Sequence, residues 1–368
     1  MLSASSQMAA TPVRGRGARS NLTSRFESQL REAFDDGWTL DDRPPTQIKT
    51  TIQPEKAKSI ISTNDSPDIG FSASINPYRG CEHGCIYCYA RPAHAYMGLS
   101  PGLDFESRLF FKAGAAGLLE AAFRKPGYRP EVIHIGGNTD PYQPQERQLR
   151  ITRSLIEVMA RFRHPFSLIT KSALVARDID LLAPLAADGL AQVAISITTL
   201  DRKLARSMEP RAATPEKRLA TLRALTATGI PTMVMFAPVI PGLNDHELEG
   251  VLEAAREAGA SRAGYVILRL PREIKDLFCE WLAADHPDRA RRVMSLVRQT
   301  RGGKDYDADW SQRMRGTGPV ADLIALRFKT ARTRLGLDRP VRGLDLTRFR
   351  VPKPPGAQRD LFDVEATD

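Results

Sequence analysis

Cysteine is scarce in this 368-residue chain: there are four, and three of them fall within eight residues, at Cys81, Cys85 and Cys88. That number and clustering exclude a secreted disulfide framework and read, in a reducing compartment, as metal ligation. Long apolar runs are missing too. No window approaches the ~20 continuous apolar residues of a membrane span, and the first 20 residues lack the apolar core of a secretory signal. A cytoplasmic protein without a membrane partner is expected. Lysine is also sparse, 12 of the 53 basic residues, the other 41 being arginine. Genomic base composition explains that bias more readily than phosphate recognition does. What is present suffices for a core: 42% hydrophobic and 26% charged residues fit one large α/β domain with appendages, or two domains. The formal charge of +10 leaves nucleic acids, phosphorylated substrates and anionic surfaces open as partners without choosing among them.

The chain divides into three stretches. Residues 1–64 are polar and rich in Ser, Thr, Arg and Pro, with one short helix expected over 25–34. Arg14, Arg16, Arg19 and Arg25 occur there with no acid among the first 26 residues, which reads as a partly disordered basic arm. Over 65–270, short β-branched apolar runs alternate with Ala/Leu/Arg segments of helical period. Strands are expected at 73–76, 131–137, 166–170, 192–198, 232–238 and 263–270, with helices at 113–123, 148–162, 178–188, 215–228 and 245–258. Six strands and five crossovers give an α/β fold, either a partial (β/α)6 TIM-like barrel or an open doubly wound sheet. Residues 271–368 read as a helical, basic extension with a Pro-rich tail near 352–356; it holds 20 basic and 15 acidic residues.

The chemistry concentrates in Cys81-Glu82-His83-Gly84-Cys85-Ile86-Tyr87-Cys88, a CxxxCxxC element just after the first strand. Three thiolates on one tight loop can hold three irons of a [4Fe–4S] cluster, and Gly84 lets the loop curl. The fourth iron then lacks a cysteine, and an open coordination position is what catalysis uses. Cys279, His83 and His94 are the alternative fourth ligands, although Cys279 falls in an amphipathic segment, 273–284, and reads better as a buried structural thiol.

This loop resembles the signature of the radical SAM superfamily, with Tyr87 at its aromatic position. The segment 76–89, the run Gly136-Gly137-Asn138-Thr139-Asp140-Pro141-Tyr142 and the Val239-Ile240-Pro241-Gly242 turn are similar to the spore photoproduct lyase branch, over roughly 56% of the chain. The resemblance implies a partial barrel that binds S-adenosylmethionine (SAM) at the open iron. An electron donor of flavodoxin or ferredoxin type would drive its reductive cleavage to methionine and a 5′-deoxyadenosyl radical, which abstracts hydrogen from substrate. It also implies that Gly136 and Gly137, with Asn138, meet the methionine amino group; a plain strand-to-turn glycine pair is the other reading. Ser196 is a ribose or carboxylate contact or a small core hydroxyl. Arg211 pairs with the SAM carboxylate or is solvated, and Val239 and Ile240 form an adenine shelf or merely turn the chain. Asp140 serves substrate polarity or caps the following helix. Tyr78, Tyr87, Tyr89, Tyr96 and Tyr142 offer stacking surfaces or shield the loop.

The resemblance is incomplete. That lyase branch uses a cysteine in the region of 136–140 to return hydrogen to its product radical, whereas this chain has Asn138 and Thr139 there and no cysteine between Cys88 and Cys279. A lyase-like or modifying reaction on an unassigned substrate is the expectation, with nucleic acid preferred because of the basic extensions. The alternative from a different class is a zinc-stabilised nucleic-acid-binding protein without catalysis, its metal shell completed by His83 or His94.

Overall fold

In the central strands every second side chain is apolar and buried while its neighbours are half-buried, and this alternation sets the architecture. The computed structural model describes residues 13–27, 47–340 and 343–353. Its strands are β1 (Thr51–Glu55), β2 (Ile61–Thr63), β3 (Ala73–Ile75), β4 (Tyr78–Arg79), β5 (Arg108–Lys112), β6 (Ile133–Ile135), β7 (Phe166–Thr170), β8 (Ala191–Ser196), β9 (Thr232–Val239) and β10 (Arg262–Ile267). Seven of them form one sheet in the order β10-β9-β8-β7-β6-β3-β2. All neighbours are parallel except β2, which runs antiparallel to β3. The six parallel strands coincide with the six expected from sequence.

One face of the sheet carries Ile133, Ile135, Phe166, Leu168, Val193, Ile195, Val234 and Phe236 into the main core. Helices Ala115–Phe123, Ile151–Phe162, Ile179–Ala187, Pro215–Ala227 and Leu248–Glu257 cover that face. These are the five expected crossovers, and parallel strands joined this way need such cover because both faces must be shielded. The other face bears smaller and more polar residues, among them His134, Ser167, Gln192, Ala194 and Gly264, and lines a cavity of about 780 Å³. The half-buried positions of the alternating strands therefore mark a lined hollow and not a water-facing surface.

Among the described residues β2 and β10 do not pair with each other, so the six-strand barrel stays open along one seam. The C-terminal stretch fills it. Ile267 N–H donates to Met314 O at 3.0 Å and Ala263 N–H to Leu337 O at 3.2 Å, which occupies the free edge of β10. Arg313 makes a two-pronged ion pair with Asp68 on the turn before β3, at 2.5 and 2.6 Å, and so ties the two edges together. After helices Ile274–Asp285, Pro287–Gln299 and Gly318–Arg334 the chain runs back under the barrel. There Asp345 N–H bonds to Gly189 O and Arg350 N–H to Phe162 O. Phe349 packs on the Phe123, Tyr128 and His164 rings. Of the Pro-rich tail, only Pro352 and Lys353 lie within the described residues.

The N-terminal arm differs from its expectation where it is described. Residues 15–18 lie packed behind the cysteine loop, and β1 joins β5 and β4 in a three-stranded sheet while β2 extends the main one. A boundary at residue 64 thus cuts through the fold. Of the arm's arginines, Arg16 is buried and bonded to Glu106 O and Ile48 O, whereas Arg19 and Arg25 pair at the surface with Asp285 and Glu273. Of the helix expected over 25–34, residues 28–34 lie outside the described residues.

Candidate active site

The cysteine loop follows β4 and is held from behind. Gly80 and Gly84 adopt φ of +72° and +69°, and a Cβ on Gly84 would come within 2.6 Å of the Glu106 carboxylate. Beneath the loop the fully buried Arg91 guanidinium donates to Cys85 O at 2.9 Å, Gly84 O at 3.0 Å, Pro101 O at 3.1 Å and Gly102 O at 3.0 Å. Its charge is met by Glu106 at 2.5 Å. The Glu106 carboxylate also accepts from Gly17 N–H at 2.9 Å and Ala18 N–H at 2.8 Å. Arg16 bonds to Glu106 O and to Ile48 O at 2.7 Å. A buried ion pair is tolerable when its remaining valences are filled in this way.

The three cysteines line one end of the cavity. Burial pushes all three thiols up, Cys81 and Cys85 far up, with Asp140 adding to the effect at Cys81 and Glu209 at Cys85. Thiols in this setting become thiolates when a cation arrives to take their charge. Among the described residues no three His, Cys, Asp or Glu side chains gather as the shell of a single metal ion. A cubane, on which each thiolate has its own iron, suits this donor set. Cys279 does not line the cavity; it sits on helix Ile274–Asp285, packed at the edge of an apolar cluster. His94 is a core residue whose Nε2–H donates to Arg108 O at 3.0 Å, and burial brings it down to about 4. His83 does line the cavity, with Nδ1 3.3 Å from Asp140.

The rim at the strand ends supplies the rest. Gly136 has φ +92°, and a Cβ there would meet Ile169 O at 2.6 Å, so the strand turns over β7 only with glycine. Gly137 and Asn138 follow on the cavity wall, Asn138 N–H donating to Asn76 Oδ1 at 2.8 Å. Asp140 caps no helix. It accepts from Thr170 Oγ1 at 2.6 Å, Lys171 N–H at 2.7 Å and Tyr142 N–H at 2.9 Å. With His83 beside it, these donors overcome burial and hold its carboxyl down at about 2. Through these bonds Asp140 fixes the β6 and β7 ends to each other.

Lys171, the residue after β7, was not singled out by sequence. Its ammonium lies in the cavity wall, donates to Ser196 Oγ at 2.6 Å and stands 3.8 Å from Glu209. Burial pulls it below its ordinary value and the nearby Cys85 opposes that pull. Glu209 is fully buried under the loop, where it accepts from Tyr87 OH, Thr198 Oγ1 and Arg218. The signal for Lys171 was its place at the carboxyl end of a parallel strand, where barrel sites assemble.

The structure therefore brings Tyr87, Gly136, Gly137, Asn138, Asp140 and Ser196 to the same cavity as the three cysteines. It does not bring Arg211, Val239 or Ile240 there. Arg211 N–H bonds to His83 O at 3.3 Å, and its guanidinium turns outward to Glu82 and to Gly15 O at 3.1 Å, lining a second hollow of about 920 Å³ behind the loop. Val239 and Ile240 are fully buried in the packed cores, and Ala237 and Pro238 occupy the wall instead. Of the tyrosines, Tyr87 and Tyr89 reach the cavity. Tyr78 and Tyr142 are buried on Glu146 and Asp178, and Tyr96 is exposed beside Arg25.

Residues 75–255 match the family model described as the Radical SAM superfamily. An uncharacterised protein of Mycobacterium tuberculosis is 34% identical over 299 residues, 81% of this chain and 82% of the relative. An uncharacterised protein of Methanocaldococcus jannaschii is 30% identical over 192 residues, 52% of this chain and 69% of the relative. Among solved structures, a point mutant of spore photoproduct lyase superposes with a TM-score of 0.51 at 13% identity, over 78% of this chain and 80% of that one. At that identity the likeness is one of fold.

Proposed function

The chain belongs to the radical SAM superfamily and is an enzyme of that class, and from that premise we propose that Cys81, Cys85 and Cys88 hold three irons of a [4Fe–4S] cluster. The observation that carries the proposal is the convergence of three thiols, two buried and one half-buried, on one braced loop with a half-buried, cavity-facing lysine. When bound, the cluster supplies the electron that cleaves SAM to methionine and a 5′-deoxyadenosyl radical, which takes a hydrogen atom from substrate.

The protein's own part is to bind, orient and exclude water. Lys171 and Ser196 offer an ammonium and a hydroxyl to the SAM carboxylate, the role expected of Arg211. The Gly136–Gly137 backbone lets a ligand approach the sheet end closely, and Ala237 and Pro238 give its base an apolar wall. Tyr87 is pinned through Glu209 and Thr198, which fixes the loop between the second and third cysteines. An electron donor of flavodoxin or ferredoxin type is the proposed protein partner. A nucleic acid is the proposed substrate class, supported by the charge of +10 and by the half-exposed Tyr89 ring on the cavity wall. Among the described residues no helix is long and apolar enough to cross a membrane.

Cys85→Ala tests the assignment: the variant should lose both bound iron and SAM cleavage. Formation of 5′-deoxyadenosine by that variant would overturn it.

A further inference from the structure

Where the C-terminal stretch closes the barrel seam, arginines outnumber carboxylates. Asp68 and Asp140 are the two acids on the cavity wall, and Asp140 is saturated at the far rim. Asp68 gives both oxygens to Arg313. Two further guanidiniums stand near this pair. Arg301 is buried and spends its donors on Leu268 O and Gln312 O, both at 2.8 Å, stapling the end of β10 to the loop before Met314. Arg269, two residues past β10, lines the cavity and has no ion-pair partner among the described residues.

Asp68 feels the Arg269 charge but gives both its oxygens to Arg313, so Arg269 has no carboxylate hydrogen bond among the described residues. The guanidinium lies 5.4 Å over the Tyr89 ring, and Nη1 reaches only the Met314 sulfur, at 3.3 Å. A thioether is a weak acceptor. The buried Nε has no hydrogen-bond partner among the described residues. Burial, with the Arg269 charge acting in the same sense, brings Arg301 down to about 10. Arg315, next along the same loop, also lines the cavity; its guanidinium rests 4.1 Å over Tyr265 and has no ion-pair partner among the described residues. Arg269 is half-buried and Arg315 exposed, both on the cavity wall; like charges gathered there repel, and an anion placed among them relieves that repulsion.

We propose that Arg269, with Arg315 on the neighbouring loop, forms an anion subsite that takes a phosphate or carboxylate group of the substrate. Calling the occupant a substrate rests on the radical SAM reading, whereas the subsite itself stands on charge and geometry. The planar fork of Arg269 suits two-pronged contact with either oxyanion. Tyr89 links this subsite to the cysteines: it follows Cys88 in the chain, its hydroxyl donates to Gly137 O, and its ring carries Arg269. An anionic group on Arg269 thus leaves the remainder of the molecule along Tyr89, beside the loop where hydrogen abstraction is proposed.

The test is calorimetric titration of the iron-reconstituted protein with inorganic pyrophosphate and, separately, citrate, using wild type, Arg269→Met, Arg315→Met and Lys171→Met. Loss of charged hydrogen bonds should weaken binding of the preferred anion at least about tenfold in Arg269→Met, with a smaller loss in Arg315→Met. Preference for pyrophosphate assigns a phosphate-bearing substrate, and preference for citrate a carboxylate-bearing one. Wild-type affinity in Arg269→Met, or binding abolished only by Lys171→Met, overturns the subsite. Iron content and the SAM-dependent spectrum of the same preparations report separately on the radical SAM reading, so the two can fail independently.

Discussion

Replacing Gly17 by alanine should loosen the cysteine loop, although Gly17 lies more than sixty residues from it in sequence. The new methyl would sit 1.9 Å from Gly84 O, and that oxygen is itself held by Arg91 at 3.0 Å, so neither side yields cheaply. Overpacking of this kind costs about 1–3 kcal/mol. Lifting the strap also withdraws the Gly17 and Ala18 N–H groups from Glu106, leaving a buried carboxylate short of charge-assisted bonds. The two effects together give an expected loss of roughly 3 kcal/mol. Urea unfolding of the metal-free protein measures it, and the iron retained per chain after desalting of the reconstituted protein reports on the loop. Gly70→Ala is the control, since nothing lies within 4 Å of a Cβ there; it should stay within about 0.5 kcal/mol of wild type. Wild-type unfolding together with full iron retention in Gly17→Ala would refute the strap.

Lys171→Met should weaken SAM binding at least about tenfold while iron content stays at the wild-type level, measured by equilibrium dialysis beside iron assay. Cys279→Ser should retain wild-type iron whereas Cys81→Ser should not, because Cys279 lies away from the cavity. Stability should fall on acidification before the carboxylates titrate. His94, His134 and His164 are brought by burial from 6.5 to about 4, so below pH 6.5 the unfolded chain takes up protons that the folded one refuses. Stability is therefore complete above pH 6.5 and falls toward pH 4 by about 1.4 kcal/mol per unit for each histidine. His164 stacks flat on Phe123 at 4.3 Å, so His164→Phe should flatten that slope by about a third in urea titrations.

The six parallel strands were legible because each carries β-branched residues in a run short enough to exclude a helix, and the cysteine loop because three thiols at that spacing have few uses. Two things were hidden. Arg14 to Ser20 looks like a solvated basic arm, since nothing local reveals that Glu106, almost ninety residues on, completes Gly17 and Ala18. Periodicity likewise cannot separate a strand position that faces water from one that faces a hollow, and so Gln192 and Ser167 gave no sign of the cavity. The Arg211 and Lys171 exchange has the same origin: both follow structured segments, and only the fold shows that Glu82 draws Arg211 outward while Lys171 meets Ser196.

The central claim is that the three cysteines hold a cluster with one iron open to SAM. Electron paramagnetic resonance of the anaerobically reconstituted, reduced protein, with and without SAM, addresses it directly. A [4Fe–4S]⁺ signal that changes when SAM is added is the predicted result. A colourless protein with one zinc per chain and no such signal would contradict it.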